Sequence, residues 1–254
     1  AQGGLNAAQM IAEARRAYLL WNLEPEFDTA NPAATMKALA AAEVVIAFSP
    51  YRNGALEYAH AILPIAPFTE TFGTFVNAEG RAQSFNGTVR PLGDARPGWK
   101  VLRVLGNELG LPGFDYETPE AVRAEALPDD VAARLSNATV LAPVLVRPAG
   151  GTQRIADVPI YFVDAIVRRA ESLQATRDAR PPKASANAAT LARFGLAPGA
   201  KARVVQPSPL GEAAALLECA LDERLPDGVV RVPAAHASTA ALGALFGPIA
   251  LERA

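Results

Sequence analysis

The run Val44-Val45-Ile46-Ala47-Phe48, continuous, β-branched and halted by Ser49-Pro50, constrains this chain more than any other feature. An apolar run without polar alternation suits a strand buried on both faces, as in a parallel sheet. Its neighbours agree. Ala17-Tyr18-Leu19-Leu20-Trp21 is a second short apolar run, and Ala61-Ile62-Leu63-Pro64-Ile65 a third. Between the first two, Asn31-Pro32 places a capping residue before a proline at the first helical position. The helix formers of Ala33 to Ala42 follow. Strand, helix, strand, connector, strand at this spacing predicts α/β architecture with parallel strands.

Beyond residue 70 the pattern changes. Thr74-Phe75-Val76-Asn77 and Arg81-Ala82-Gln83-Ser84-Phe85 flank Ala78-Glu79-Gly80, which predicts a hairpin with glycine at its turn. After Pro97, Trp99, Leu102, Leu105 and Leu109 fall at helical spacing, and Gly110 and Pro112 end the helix. Pro119 and Pro128 open two further helical candidates, and residues 140–160 read as extended or irregular. A stripe of Phe162, Ile166, Ala170 and Leu173 predicts a helix over 161–174, with Arg168 and Arg169 between stripe positions, solvated or paired with carboxylates. Arg180-Pro181-Pro182-Lys183 reads as a linker. Past it, a helix over Ala186 to Phe194 capped by Gly195 leads to strand candidates at Ala202–Val205, 213–220 and 228–232, a small barrel or sandwich. This divides the chain into domains 1–180 and 181–254.

The chemical inventory is sparse. Of 254 residues, one is cysteine (Cys219) and two are histidine (His60 and His236), too few and too scattered for a disulfide, a sulfur-ligated cluster or a histidine metal site within this chain. No G-x-S-x-G or phosphate-loop pattern occurs. With 24 Lys+Arg against 26 Asp+Glu, the formal charge of −2 gives no reason to expect nucleic acid as a partner. No uncharged apolar run reaches the roughly 18 residues of a membrane helix, which points to a soluble piece without direct membrane insertion. Glu70 and Glu79 beside the hairpin are possible acids or bases in type, yet nothing near them completes a nucleophile or metal set. The residues alone therefore assign no catalytic, cofactor-binding or metal-binding position.

One ordered run carries a resemblance. It starts at Ala61-Ile62-Leu63-Pro64 and continues through Thr69-Glu70-Thr71, Gly73-Thr74, Asn77 and Glu79-Gly80-Arg81 to Gln83. This run resembles the molybdopterin oxidoreductase superfamily. Further stretches narrow the resemblance: Ser84-Phe85-Asn86-Gly87, then Pro91-Leu92-Gly93-Asp94-Ala95-Arg96-Pro97-Gly98-Trp99, Arg154 to Tyr161 and Leu225 to His236. They are similar to the large subunit of bacterial NADH-quinone oxidoreductase, respiratory complex I.

That resemblance implies a parallel-sheet, molybdopterin-oxidoreductase-like region followed by a small barrel-like domain. It implies a C-terminal piece of a longer subunit whose [2Fe-2S] and [4Fe-4S] clusters lie upstream. The piece itself would be a non-catalytic scaffold without molybdopterin. It would be docked to other peripheral-arm subunits on the cytoplasmic side of the bacterial inner membrane, in an enzyme that passes electrons from NADH to quinone. In this reading Glu70, Asn77, Glu79 and Arg81 form one polar network holding the hairpin to the α/β core. The alternative is the same region of a true molybdopterin-dependent oxidoreductase, such as a formate dehydrogenase or nitrate reductase. Two departures from the family pattern stand out. Ala59-His60 replaces Ala-Asp, and Asp164 to Thr176 lacks the His/Thr/Gly-rich pattern of catalytic relatives.

Overall fold

The structure, a computed structural model, describes residues 4–52, 54–127, 131–136, 138, 150–208 and 211–254. Pro128 and residues 140–149 lie outside them. The chain forms two compact units. One comprises Ala1–Tyr18, Leu23–Val45 and Val146–Ala254, the other Leu19–Asn22 and Ile46–Leu145.

The amino-terminal elements are α1 (Ala7–Ala12), β1 (Ala17–Trp21), α2 (Pro25–Asp28), α3 (Pro32–Ala40), β2 (Val44–Ser49), α4 (Ala55–Tyr58) and β3 (Ala61–Pro64). Strands β1, β2 and β3 form a sheet in that order. As the continuous apolar run requires, β2 and β3 are parallel, with Ile46 opposite Ala61 and Ser49 opposite Pro64. Ala47 and Phe48 are buried, and the Trp21 ring packs on Phe48 at 5.3 Å between centroids. Helix α3 begins as the sequence predicts: the Asn31 side chain accepts the Ala34 N–H at 3.1 Å, with Pro32 at the first helical position.

The second unit continues with β4 (Gly73–Val76), β5 (Ala82–Phe85), α5 (Gly98–Glu108) and α6 (Pro119–Ala126). Strands β4 and β5 are the predicted hairpin, with Thr74 opposite Ser84. Gly80 takes φ +79°, where a side chain is strained, and the Phe75 and Phe85 rings stack at 4.9 Å. Helix α5 starts against Trp21. A Cβ on Gly98 would lie 2.5 Å from that ring, so only glycine permits the approach. The helix stops at Glu108, which leaves Leu109, the last residue of the predicted stripe, exposed.

The first unit resumes with β6 (Gln153–Ile155), α7 (Glu171–Gln174), β7 (Ala184–Ala186), α8 (Ala188–Arg193), β8 (Lys201–Ser208), β9 (Gly211–Leu221), β10 (Val229–Arg231), β11 (Gly247–Pro248) and β12 (Ala250–Arg253). These strands form one sheet in the order β11-β6-β10-β7-β9-β8-β12. Its two edge strands are separated in sequence by Ile249 alone, so the sheet curls almost into a closed barrel. The mixed α/β region followed by a barrel-like sheet is the expected fold. Val204, Leu217, Cys219, Val230, Val232 and Leu251 fill the barrel's interior. Cys219 is a buried packing residue whose thiol pKa is pushed up by desolvation. Among the described residues no helix is long and apolar enough to cross a membrane.

The predicted helix over 161–174 does not form as one element. Ile160–Phe162 and Val167–Arg169 are single 3-10 turns, and only α7 is α-helical. The Asp164 carboxylate accepts the N–H groups of Ile166 at 2.8 Å and Val167 at 2.9 Å, starting a new turn within the stripe. Ala170 then takes an extended conformation, φ −80° and ψ 95°, which ends that turn. Local side-chain bonding overrides the periodicity.

Candidate functional site

Ligands of parallel α/β sheets gather outside the carboxyl ends of the strands. In the second unit a cleft of about 420 Å³ runs along β3, from His60 and Ala61 at its start to Pro64 at its end, and reaches Ser49 at the end of β2. Leu56 and Ile62 give it an apolar wall, while Ser49, Tyr51, Arg52 and His60 bring polar groups. Ser49 closes the strand locally, its Oγ accepting the Tyr51 N–H at 3.0 Å. Arg52 is exposed, and no carboxylate pairs with its guanidinium among the described residues. A guanidinium, an imidazole and two hydroxyls line this half-apolar cleft, group types suited to an anionic ligand such as a phosphate ester.

The first unit holds a second cavity, of about 330 Å³, with a different character. Glu24, which precedes α2, is 3% exposed and receives both arginines of the 168–169 pair. Arg168 donates from Nε to Glu24 at 2.9 Å, from Nη2 to Asp28 at 2.9 Å and from Nη1 to the Phe162 carbonyl at 2.7 Å. Its guanidinium also lies 5.1 Å from the centre of the Phe27 ring. Arg169 bonds Glu24 and the Ala165 carbonyl. Both arginines are thus paired with carboxylates. The charges here answer one another, so this cavity offers a ligand little free charge.

His236 lines the same cavity, its ring edge-to-face on Phe162 at 5.0 Å. Nδ1 accepts the Ser238 N–H at 3.0 Å, so the neutral imidazole carries its proton on Nε2. Burial lowers its pKa from the ordinary 6.5. Protonation of Nδ1 would also forfeit the bond from Ser238. The unfolded chain therefore takes up this proton first as pH falls, so the contribution to stability is present above about pH 6.5 and is lost on acidification below it. Urea unfolding at about pH 7.5 and about pH 5.5 should show a larger acid loss in the wild type than in His236→Gln. Equal losses would mean that His236 has no part in the acid sensitivity.

The residues expected to form a single network around the hairpin do separate jobs. Asn77 Oδ1 accepts the N–H groups of Glu79 at 3.0 Å and Arg81 at 2.9 Å, which shapes the turn. Glu70 accepts the Leu92 N–H at 3.0 Å and ties down the following loop. The side chains of Glu79 and Arg81 are exposed and do not join the other two. Among the described residues no group of three or more His, Cys, Asp or Glu could hold a metal ion.

Sequence reasoning missed three charged groups. Glu24-Pro25-Glu26-Phe27-Asp28 carries an acid at every second position, a faint counterpart to Arg168-Arg169. Arg52 has no local signature. Nor has Arg154, which is buried in the barrel-like sheet without a carboxylate partner among the described residues. It bonds Gln206 Oε1 at 3.0 Å and the carbonyls of Ala244 at 3.2 Å and Val232 at 3.3 Å. Desolvation pushes its pKa down to about 10.

Residues 2–108 match the family described as Molybdopterin oxidoreductase. A putative formate dehydrogenase of Staphylococcus aureus (strain USA300) is 38% identical over 68 residues, which cover 27% of this chain and 7% of that protein. A putative formate dehydrogenase of Staphylococcus haemolyticus (strain JCSC1435) is 35% identical over 68 residues, with the same shares. The match thus spans only 7% of the length of these curated relatives. Acetylene hydratase from Pelobacter acetylenicus shares the fold, with a TM-score of 0.63 at 16% identity over 97% of this chain and 46% of that one.

These relatives correct the expected function. The resemblance to respiratory complex I implied a non-catalytic scaffold of NADH-quinone oxidoreductase, with NADH dehydrogenase, quinone and translocase chemistry in the surrounding complex. The similar proteins instead bear the names of formate dehydrogenases, and the matching family is an oxidoreductase family. The ordered run around Thr69 to Gln83, which lies inside the family-matched segment, builds a turn and ties a loop. Residues with those backbone duties cannot separate one branch of the superfamily from another.

Proposed function

We propose that this chain, which carries a molybdopterin-oxidoreductase-superfamily domain, is part of a catalytic molybdopterin-dependent oxidoreductase of the formate dehydrogenase kind. The observation that carries this reading is the cleft along β3 and the end of β2, which lies inside the family-matched segment. Its donor set fits the anionic part of a pterin cofactor. Its volume of about 420 Å³ suits such a part of the ligand, with the remainder held by other surfaces.

A bound molybdopterin supplies the redox chemistry; the protein supplies binding, orientation and electrostatics. In that division of labour Arg52 would hold an anionic oxygen of the cofactor. The hydroxyl of Tyr51 and the imidazole of His60 add directional donors. Leu56 and Ile62 would pack against the apolar part of the ligand.

The activity test uses the complete polypeptide carrying this chain, produced in molybdenum-replete cells and assayed for formate-dependent reduction of a viologen dye. Activity is expected, with Arg52→Glu losing roughly tenfold or more, since a hydrogen bond to a charged group contributes about 1.5–3 kcal/mol. A wild-type polypeptide without formate-dependent reduction would contradict the formate assignment. An unchanged Arg52→Glu would remove the cleft from the cofactor's binding surface.

A further inference from the structure

Helix α6 and one face of the β4–β5 hairpin enclose a groove of about 380 Å³ that the cofactor reading does not use. The walls are mostly apolar: Phe72 and Val76 from the hairpin side, Trp99 from α5, and Val122 and Leu127 along α6. A concave surface of this size with few polar groups is the usual form of a small-molecule site. Two observations say which polar group an occupant would carry. At the rim, Arg123 Nη1 donates to the Ser84 hydroxyl at 3.0 Å. That hydroxyl is the guanidinium's one side-chain partner among the described residues, and Ser84 is itself bonded to Thr74 at 3.0 Å. In the wall, Trp99 Nε1–H is buried with no acceptor among the described residues. The Trp99 nitrogen shows that this wall offers no acceptor, and the guanidinium keeps further N–H donors at the rim, so the complementary ligand is an acceptor, and the arginine favours an anion.

Glu120 also lines the groove, one helical turn before Arg123, and forms no ion pair with it. A carboxylate there repels a ligand with two negative charges more than a ligand with one. We propose that this groove binds a small monocarboxylate with an apolar body, its carboxylate on Arg123 and its chain along Phe72, Val76, Val122 and Leu127. This site is independent of the cofactor cleft, and its failure would leave that reading standing.

Isothermal titration of the chain with octanoate, octylamine and succinate tests it. Octanoate should bind saturably at one equivalent, with octylamine and succinate at least about tenfold weaker. Arg123→Gln should weaken octanoate by about tenfold, and Val122→Trp, which fills the groove while keeping the arginine, should abolish binding. Absence of saturable octanoate binding overturns the proposal, as does equal affinity for octanoate and octylamine. An unchanged Kd in a folded Arg123→Gln does so too. If a variant fails to fold, the comparison of the three ligands on the wild type decides alone.

Discussion

Glu24→Ala should destabilise the first unit by about 3–5 kcal/mol, because it strands two arginines whose shared carboxylate is gone. Arg168 is the more vulnerable of the two to this loss. Its side chain is 7% accessible, so water cannot replace Glu24, and only Asp28 and one carbonyl would remain. Thermal unfolding should show a fall in Tm on the order of 10 °C. The Arg16–Glu43 bridge provides the control. It has the same chemistry and a similar length, 2.8 Å, but both side chains are solvent-exposed. Glu43→Ala should leave Tm unchanged, since water and salt screen such a pair. Similar effects of the two substitutions would mean that burial does not set the strength of the Glu24 cluster.

Arg154→Leu is expected to cost about 3 kcal/mol, for a different reason. No carboxylate is stranded here. Instead the substitution takes the arginine's donors from Gln206 Oε1 and the Val232 carbonyl inside the barrel-like sheet, and one of two side-chain donors from the Ala244 carbonyl. Gln206 keeps one bond, from Nε2 to the Ala244 carbonyl at 2.6 Å, which limits the damage. A double-mutant cycle with Gln206→Leu should recover a coupling of about 1 kcal/mol between the two side chains. A strictly additive pair would show that the carbonyls, and not Gln206, hold the guanidinium. A more stable Arg154→Leu would show that the desolvation of the charge outweighs all of its hydrogen bonds.

Much of the backbone was legible because its causes are local. The apolar run over Val44 to Phe48 states its own burial, Asn31 and Pro32 mark a helix start, and Gly80 marks a turn. Gly195, the expected cap of the helix after the linker, follows α8 at φ +64°. Where tertiary or side-chain chemistry decides, the sequence misleads. The stripe from Phe162 to Leu173 has helical period, yet Asp164 restarts the chain inside it.

The functional surfaces were harder to see. Arg52 is one arginine among many until β2 and β3 bring it to the end of a sheet. Glu24 and Arg168 are 144 residues apart, a pairing that no local pattern announces. The motif positions Glu70 and Asn77 proved to serve loops and turns. Such duties carry a resemblance in sequence and leave the chemistry open.

The central claim, that this chain belongs to a molybdopterin-dependent enzyme, meets its most direct test in the pterin content of the complete polypeptide purified from molybdenum-replete cells. Acid oxidation releases bound pterin as a fluorescent product that can be counted per chain. Near-stoichiometric pterin is expected in the wild type, with a large loss in Arg52→Glu. Pterin-free wild-type protein from cells that load other molybdenum enzymes would contradict the claim.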